Sequence, residues 1–239
     1  MLKVLDLFSG IGGFSLGLER AGGFETVAFC EKDPFCQKVL AKHWPHVPIH
    51  DDIKTLEGNE YGKVDVVCGG FPCTQTSVAA AISGNRTGLE GKDSGLWHEY
   101  LRIVRTIRPL WVVIENPGGV KKWEGEIQDS LAGLGYRVSR LEIKASDCGL
   151  PHIRRCYFYV ANADGKRLEI AREQRPQTVG WATRLAAAGG AWLKRTPGVI
   201  GEFTGLPDRV DRVKALGNTV VPAKVERIGR AINAFPPMH

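Results

Sequence analysis

A cysteine in a glycine-flanked loop is the residue of this sequence best suited to nucleophilic chemistry. Cys73 follows Pro72 and comes shortly after the apolar residues 64–68. A loop at the end of a strand exposes a thiol, whereas Cys30 and Cys68 lie within apolar segments and are typical of small core residues. The position therefore favours Cys73 as a nucleophile, although an inert thiol is the alternative for any single cysteine.

A glutamate in a similar position is a candidate acid. Glu115 follows the apolar residues 111–114. If the two apolar segments are neighbouring strands, its carboxyl lies beside Cys73, and a raised pKa would let it act as an acid. The alternative is a carboxylate that only caps the loop to Gly118.

Closely spaced glycines near the start of the chain are typical of a loop that binds a nucleotide-like ligand. The pattern Gly10-x-Gly12-Gly13 allows the backbone to approach such a ligand, and Glu31 after the next strand can accept hydrogen bonds from ribose hydroxyls. Glycines of an ordinary tight turn and a solvated Glu31 are the alternative. Asp52 is predicted either to meet an amine or adenine edge of the same ligand or to cap its own turn.

Short apolar runs alternate with amphipathic stretches along the chain, as in an α/β protein with a doubly wound, mostly parallel sheet. In such sheets ligands bind in the loops at the carboxyl ends of the strands, where the residues above are found. Helices are predicted over residues 14–21, from Pro34 to near Trp44, over 96–107 and near the end of the chain. The predicted strands are residues 3–7, 26–30, 64–68, 111–114, 136–144 and 156–161.

The composition is that of an ordinary globular protein, with 239 residues of which 43% are hydrophobic. No run reaches the roughly 18 apolar residues of a membrane span, and the first residues lack the pattern of a signal peptide, so a cytoplasmic protein is expected. The six cysteines form no CxxC pair, so neither a metal site nor a disulfide framework is expected. The net charge of +6 is compatible with a polyanionic partner.

Taken together, the motifs resemble those of the cytosine-5 DNA methyltransferases, in the order and spacing of that family. The resemblance covers residues 1–161 and 213–234, and it implies a Rossmann-like fold that uses S-adenosylmethionine. The matching motifs are Asp6-Leu7-Phe8-Ser9-Gly10-Ile11-Gly12-Gly13, Glu31, Gly70-Phe71-Pro72-Cys73 with Ser77, Glu115-Asn116, Pro151-His152-Ile153-Arg154 and Ala215-Leu216-Gly217-Asn218-Thr219-Val220-Val221-Pro222.

The resemblance also implies roles for individual residues. Cys73 would attack carbon 6 of a flipped-out cytosine, Glu115 would hydrogen-bond ring nitrogen 3, and Arg154 would hold the base or its phosphate. Methyl transfer would leave S-adenosylhomocysteine as the product, without a metal. The implied cofactor-binding residues are Asp6, Phe8, Ser9, Gly10, Gly12, Gly13, Glu31, Lys32, Asp52, Ile53, Pro72, Leu96, Asn218 and Val220.

The sequence departs from the family pattern in three places. Thr74 and Pro117 replace a usual glutamine and valine, and neither change removes a reacting atom. Cys156 stands where the family has a second arginine, while Arg155 is displaced by one residue and should point to the opposite face of its strand. Either Arg155 reaches the site through a local irregularity, or another basic residue substitutes, or activity is impaired.

Residues 162–212 occupy the place of a target-recognition region between the two parts of the catalytic domain, 1–161 and 213–239. They contain nine basic and six acidic residues and two tryptophans, a composition that suits contacts with phosphates and base edges of double-stranded DNA. A partly disordered insertion is the alternative.

The overall prediction is a DNA cytosine-5 methyltransferase of a restriction-modification type, acting as a monomer unless a partner chain assists recognition. The alternatives are a tRNA cytosine methyltransferase of the same fold and a catalytically weak homologue that binds DNA or the cofactor.

Overall fold

The computed structural model describes residues 1–71, 95–116, 121–149, 155–165, 168 and 219–235. These residues form a seven-stranded sheet with helices on both faces, and this confirms the predicted α/β class. None of the helices in the described ranges combines the length and the apolar character that crossing a membrane requires.

The elements follow the predicted alternation of strands and helices, with one further helix, Lys121–Gly133, that the sequence analysis did not predict. The strands are β1 (Leu2–Leu7), β2 (Phe24–Cys30), β3 (Ile49–His50), β4 (Val66–Gly69), β5 (Trp111–Asn116), β6 (Arg137–Lys144) and β7 (Arg155–Asn162). The helices are α1 (Gly13–Ala21), α2 (Pro34–His43), α3 (Leu96–Ile107), α4 (Lys121–Gly133) and α5 (Pro222–Asn233), and a 3-10 turn spans Ala145–Cys148.

The strand order is β3-β2-β1-β4-β5-β7-β6. The strands from β3 to β5 pair in parallel, whereas β7 runs antiparallel to both β5 and β6. The prediction of a mostly parallel sheet is therefore confirmed. Because β1, β4 and β5 are adjacent and parallel, the residues after these three strands meet at one edge of the sheet.

Each face of the sheet is covered by its own helices. On one face, apolar residues of the central strands pack against α3 and α4, and the large buried side chains Trp97 and Tyr100 lie at its centre. On the other face, alternate residues of the same strands pack against α1 and α5, with Val225 and Ile228 of α5 fully buried. Glu115 lies two positions after Val113 of this second face and therefore shares it.

Most strand boundaries differ from the sequence-based prediction by one or two residues, and two of these differences lie beside the candidate site. Strand β5 was expected to end at residue 114, with Glu115 in the following loop, but it extends to Asn116. The reason is its antiparallel partner β7, which pairs Glu115 with Phe158 and Asn116 with Tyr157. Strand β4 is displaced in the same direction and includes Gly69.

Candidate functional site

The loop between β1 and α1 is held from below by a buried carboxyl group. Asp6 Oδ2 accepts hydrogen bonds from the backbone N–H of Ser15 at 3.2 Å and from its hydroxyl at 2.7 Å. Burial raises the pKa of Asp6 from 3.8 to about 7. Within the loop, Ser9 Oγ donates to the Asp6 carbonyl at 2.6 Å, and Phe8 takes a positive φ of 52°. Asp6 thus fixes the loop from within the core.

Glu31 ties this loop to the segment that follows β2. Its Oε2 accepts the N–H of Gly10 at 2.7 Å, and its Oε1 accepts the N–H of Asp33 at 2.8 Å. Each carboxylate oxygen keeps a second lone pair, so Glu31 can still accept a hydroxyl donor from a ligand. The prediction that Glu31 and the glycine loop form one site agrees with this arrangement, while its ligand stays a prediction.

The C-terminal segment returns to the same loop. A Cβ atom built on Gly13 would lie 2.6 Å from the Val220 carbonyl and 2.7 Å from Thr219 Cγ2, so only glycine permits this approach. Thr219 Oγ1 is buried without a hydrogen-bond partner in the described part of the chain, and it faces Gly10. A buried hydroxyl oxygen that lacks a hydrogen-bond partner among the described residues, and that lies beside a glycine loop, is a candidate ligand contact.

Of the other predicted cofactor residues, Lys32, Asp52, Ile53 and Leu96 belong to the described part of the chain. Asp52 Oδ1 accepts the N–H of Lys54 at 3.1 Å, as its capping interpretation requires, and Oδ2 pairs with the exposed Lys32 at 2.8 Å. Ile53 is buried in the core, and Leu96 at the start of α3 packs against the same core.

Glu115 adjoins the backbone that leads to Cys73. Strands β4 and β5 are neighbours, and a Cβ atom built on Gly70 would lie 3.2 Å from Glu115 Oε2. The condition on which the acid prediction depended, that the two strands pair, is therefore met. The predicted site residues Pro72, Cys73, Arg154 and Asn218 lie outside the described residues.

The buried cysteines have the properties that the sequence analysis expected of core residues. Cys30 and Cys68 are almost fully buried. Burial, assisted by Glu31 and other nearby acidic groups, raises the pKa of Cys30 to about 12, and burial likewise raises that of Cys68 well above its usual value. Thiols of such high pKa are poor nucleophiles at neutral pH.

The displaced arginine does not reach the site. Arg155 is exposed and lies 3.7 Å from Glu142 across the β6–β7 pair, so the local-irregularity interpretation is wrong. Cys156 is buried instead, and its sulfur accepts a hydrogen bond from Lys224 Nζ at 3.1 Å. Sequence reasoning missed Lys224, whose side chain is fully buried on α5.

A mostly parallel sheet with a glycine loop after β1 and the carboxylate of Glu31 after β2 is a Rossmann-like fold of the nucleotide-binding α/β class. A sequence model described as C-5 cytosine-specific DNA methylase matches residues 2–182. The chain belongs to this family, as its motifs predicted.

Individual relatives agree with this assignment. The type II methyltransferase M1.HphI of Haemophilus parahaemolyticus is 34% identical over 176 residues, covering 69% of this chain and 46% of the relative. M2.BsuMI of Bacillus subtilis is 36% identical over 170 residues, covering 67% and 42%. The chain thus spans less than half the length of these two relatives. The S. pombe Dnmt2 methyltransferase shares the fold with a TM-score of 0.56 and 21% identity, covering 70% of this chain and 50% of that one.

Proposed function

We propose that this protein transfers a methyl group from S-adenosylmethionine to carbon 5 of cytosine in DNA. The observation that carries the proposal is the proximity of Glu115 to Gly70, because it sets an acid beside the short segment that ends in Cys73. Membership of the cytosine-5 methylase family and similarity to type II methyltransferases support the same reaction.

The loop between β1 and α1 fits the nucleoside part of the cofactor. Glu31 would accept ribose hydroxyls, and the unpaired Thr219 Oγ1 would meet a polar group of a ligand seated over Gly10. Asp52, with Lys54 and Lys32 as partners, lies further along the same edge. Bound S-adenosylmethionine would supply an electrophilic methyl group at this edge of the sheet.

Cys73 and Glu115 would make the cytosine ring reactive. The Cys73 thiolate adds to carbon 6, while the Glu115 carboxyl hydrogen-bonds nitrogen 3 and limits the charge that develops on the ring. Carbon 5 then accepts the methyl group, and loss of its proton expels the Cys73 thiolate. The base must leave the duplex to reach these groups, and Arg154 would hold the base or its phosphate.

Residues 162–212 would contact the DNA as a target-recognition region. Their net positive charge and their two tryptophans suit contacts with the phosphate backbone and with base edges. The side chains that would neutralise phosphates include Arg172, Arg175 and Arg184. Each lost contact would reduce the slope of log binding constant against log salt concentration by about 0.9.

Purified protein incubated with tritiated S-adenosylmethionine and either duplex DNA or tRNA tests the reaction and the polymer together. We expect label in DNA, and a covalent complex with duplex DNA that contains 5-fluorocytosine, since fluorine cannot leave as a proton does. Cys73→Ser should abolish both signals with the cofactor affinity unchanged, whereas Cys30→Ser serves as the matched thiol control and should retain them.

Three results would contradict the proposal. Label that enters tRNA instead of DNA would assign the protein to the other polymer. Cofactor binding without label in either polymer would favour a binding homologue. Substantial turnover by Cys73→Ser would remove Cys73 from the reaction.

A further inference from the structure

Lys224 is the buried cation of the described residues. It lies on α5, has no exposed surface, and donates from Nζ to Cys156 Sγ at 3.1 Å. An ammonium group is rarely buried completely unless polar or charged groups compensate the lost hydration, because its desolvation costs several kcal/mol. The surroundings of Lys224 therefore indicate what its charge is used for.

Those surroundings include the proposed acid. In the β5–β7 pair Glu115 lies opposite Phe158, so Cys156 is its diagonal neighbour on the same face of the sheet. Both Glu115 and Lys224 lie within hydrogen-bond reach of the Cys156 thiol. The three side chains thus form a continuous polar row from the carboxyl group to the ammonium group, with the sulfur between them.

Other cations near this row are directed elsewhere. Arg155, the residue before Cys156, is exposed and pairs with Glu142. Arg227, one turn along α5, donates from Nη1 to the Asp147 carbonyl at 3.1 Å at the protein surface. Among the described residues, Lys224 is therefore the buried cation beside Cys156, the diagonal neighbour of Glu115.

We propose that Lys224 is a positioning residue for Glu115. Through Cys156 it orients the Glu115 carboxyl group and supplies a positive charge near it, in place of the arginine that the family has at position 156. The inference rests on the proposed function. When Glu115 donates its hydrogen bond to nitrogen 3, negative charge grows on the carboxyl oxygens, and the ammonium group of Lys224 stabilises that charge through the polarised thiol.

Removal of the charge tests this role directly. Lys224→Met removes the charge and keeps most of the length of the side chain, and Arg230→Met on the exposed side of the same helix is the matched control. We expect Lys224→Met to slow single-turnover methyl transfer by about tenfold to a hundredfold, since full loss of a general acid costs roughly 10²- to 10⁴-fold. Cofactor affinity measured by calorimetry should stay unchanged, and Arg230→Met should transfer the methyl group at the wild-type rate.

Rescue distinguishes a charge effect from a packing effect. Cys156→Arg in the Lys224→Met background places a cation beside Glu115 from β7 instead of α5, and it should recover most of the lost rate. Lys224→Arg keeps a cation on α5. It should therefore transfer the methyl group faster than Lys224→Met in the same single-turnover assay.

The inference is overturned if Lys224→Met transfers methyl groups at the wild-type rate. It is also overturned if Lys224→Arg and the Cys156→Arg, Lys224→Met double variant are no faster than Lys224→Met while all three proteins unfold at the wild-type temperature. A wild-type protein that labels neither DNA nor tRNA would instead refute the proposed function, and this inference with it. The two failures are therefore separate results of one set of measurements.

Discussion

Asp6 is expected to make the stability of the fold depend on pH, because its carboxyl group is fully buried at the end of β1. Burial is the largest cause that raises its pKa from 3.8 to about 7, and the hydrogen bonds from Ser15 oppose the shift only in part. Its Oδ1 receives no well-aligned hydrogen bond, although the Cys68 thiol faces it. Between the unfolded and the folded pKa, the folded protein keeps a proton that the unfolded chain has lost.

The sign and size of the effect follow from this difference. Stability is greatest where the group is protonated in both states, and it falls as the pH rises from about 4 to about 7. At about 1.36 kcal/mol per unit, the whole shift from 3.8 to about 7 corresponds to about 4 kcal/mol. About 3 kcal/mol of this lies between pH 5 and pH 8.5, since about two units separate pH 5 from the folded pKa.

Asp6→Asn removes the titration and keeps an acceptor oxygen for Ser15. Urea unfolding of the wild type and the variant at pH 5 and pH 8.5 gives four free energies of unfolding. Groups that titrate in both proteins cancel in the comparison, so the wild type should lose about 3 kcal/mol more than the variant over this interval. Glu25→Gln, on the exposed side of β2, is the control and should follow the wild type. Equal losses in the wild type and Asp6→Asn would refute a buried, protonated Asp6.

Three further predictions concern the glycine loop after β1 and the segment that follows β2. Glu31→Ala should weaken S-adenosylmethionine binding by about 1 to 3 kcal/mol, the value of hydrogen bonds to a charged group, and calorimetry with Glu25→Ala as the control checks it. Gly13→Val should lower the free energy of unfolding by about 1 to 3 kcal/mol in urea titrations, because its Cβ would lie 2.6 Å from the backbone carbonyl of Val220. Wild-type stability of this variant would contradict the close packing. Lys32→Ala should leave the unfolding midpoint unchanged, since the exposed ion pair of Lys32 is screened by water.

Local patterns predicted the first half of the fold well. Asp33 followed by Pro34 predicted the start of α2, and Asp33 Oδ1 accepts the N–H groups of Phe35 and Cys36 as a helix cap does. The apolar spacing over residues 96–107 predicted α3 with its bounds. Helix caps and apolar spacing depend only on residues close together in the sequence. The sequence alone is therefore enough to predict them.

Contacts between distant segments account for what the sequence did not predict. The extension of β5 through Glu115 depends on pairing with β7, which no local pattern in residues 111–116 indicates. The periodicity of the last helix predicts an apolar face that includes Val221 and Val225, but it does not indicate that Lys224 is buried. The buried partner of Lys224 lies 68 residues away, so only the folded chain reveals the pair.

The last helix connects the two halves of the proposed site. A Cβ atom on Gly17 would lie 2.5 Å from the Pro222 carbonyl and 2.6 Å from Val225 Cβ, so α1 and α5 approach as closely as their backbones allow. This contact fixes the position of α5 relative to the glycine loop. Because Val220, in the segment leading into α5, lies against the loop, and Lys224 of α5 lies against Cys156, the proposed cofactor and cytosine sites have a common support. Their relative placement therefore depends on residues that contact neither ligand.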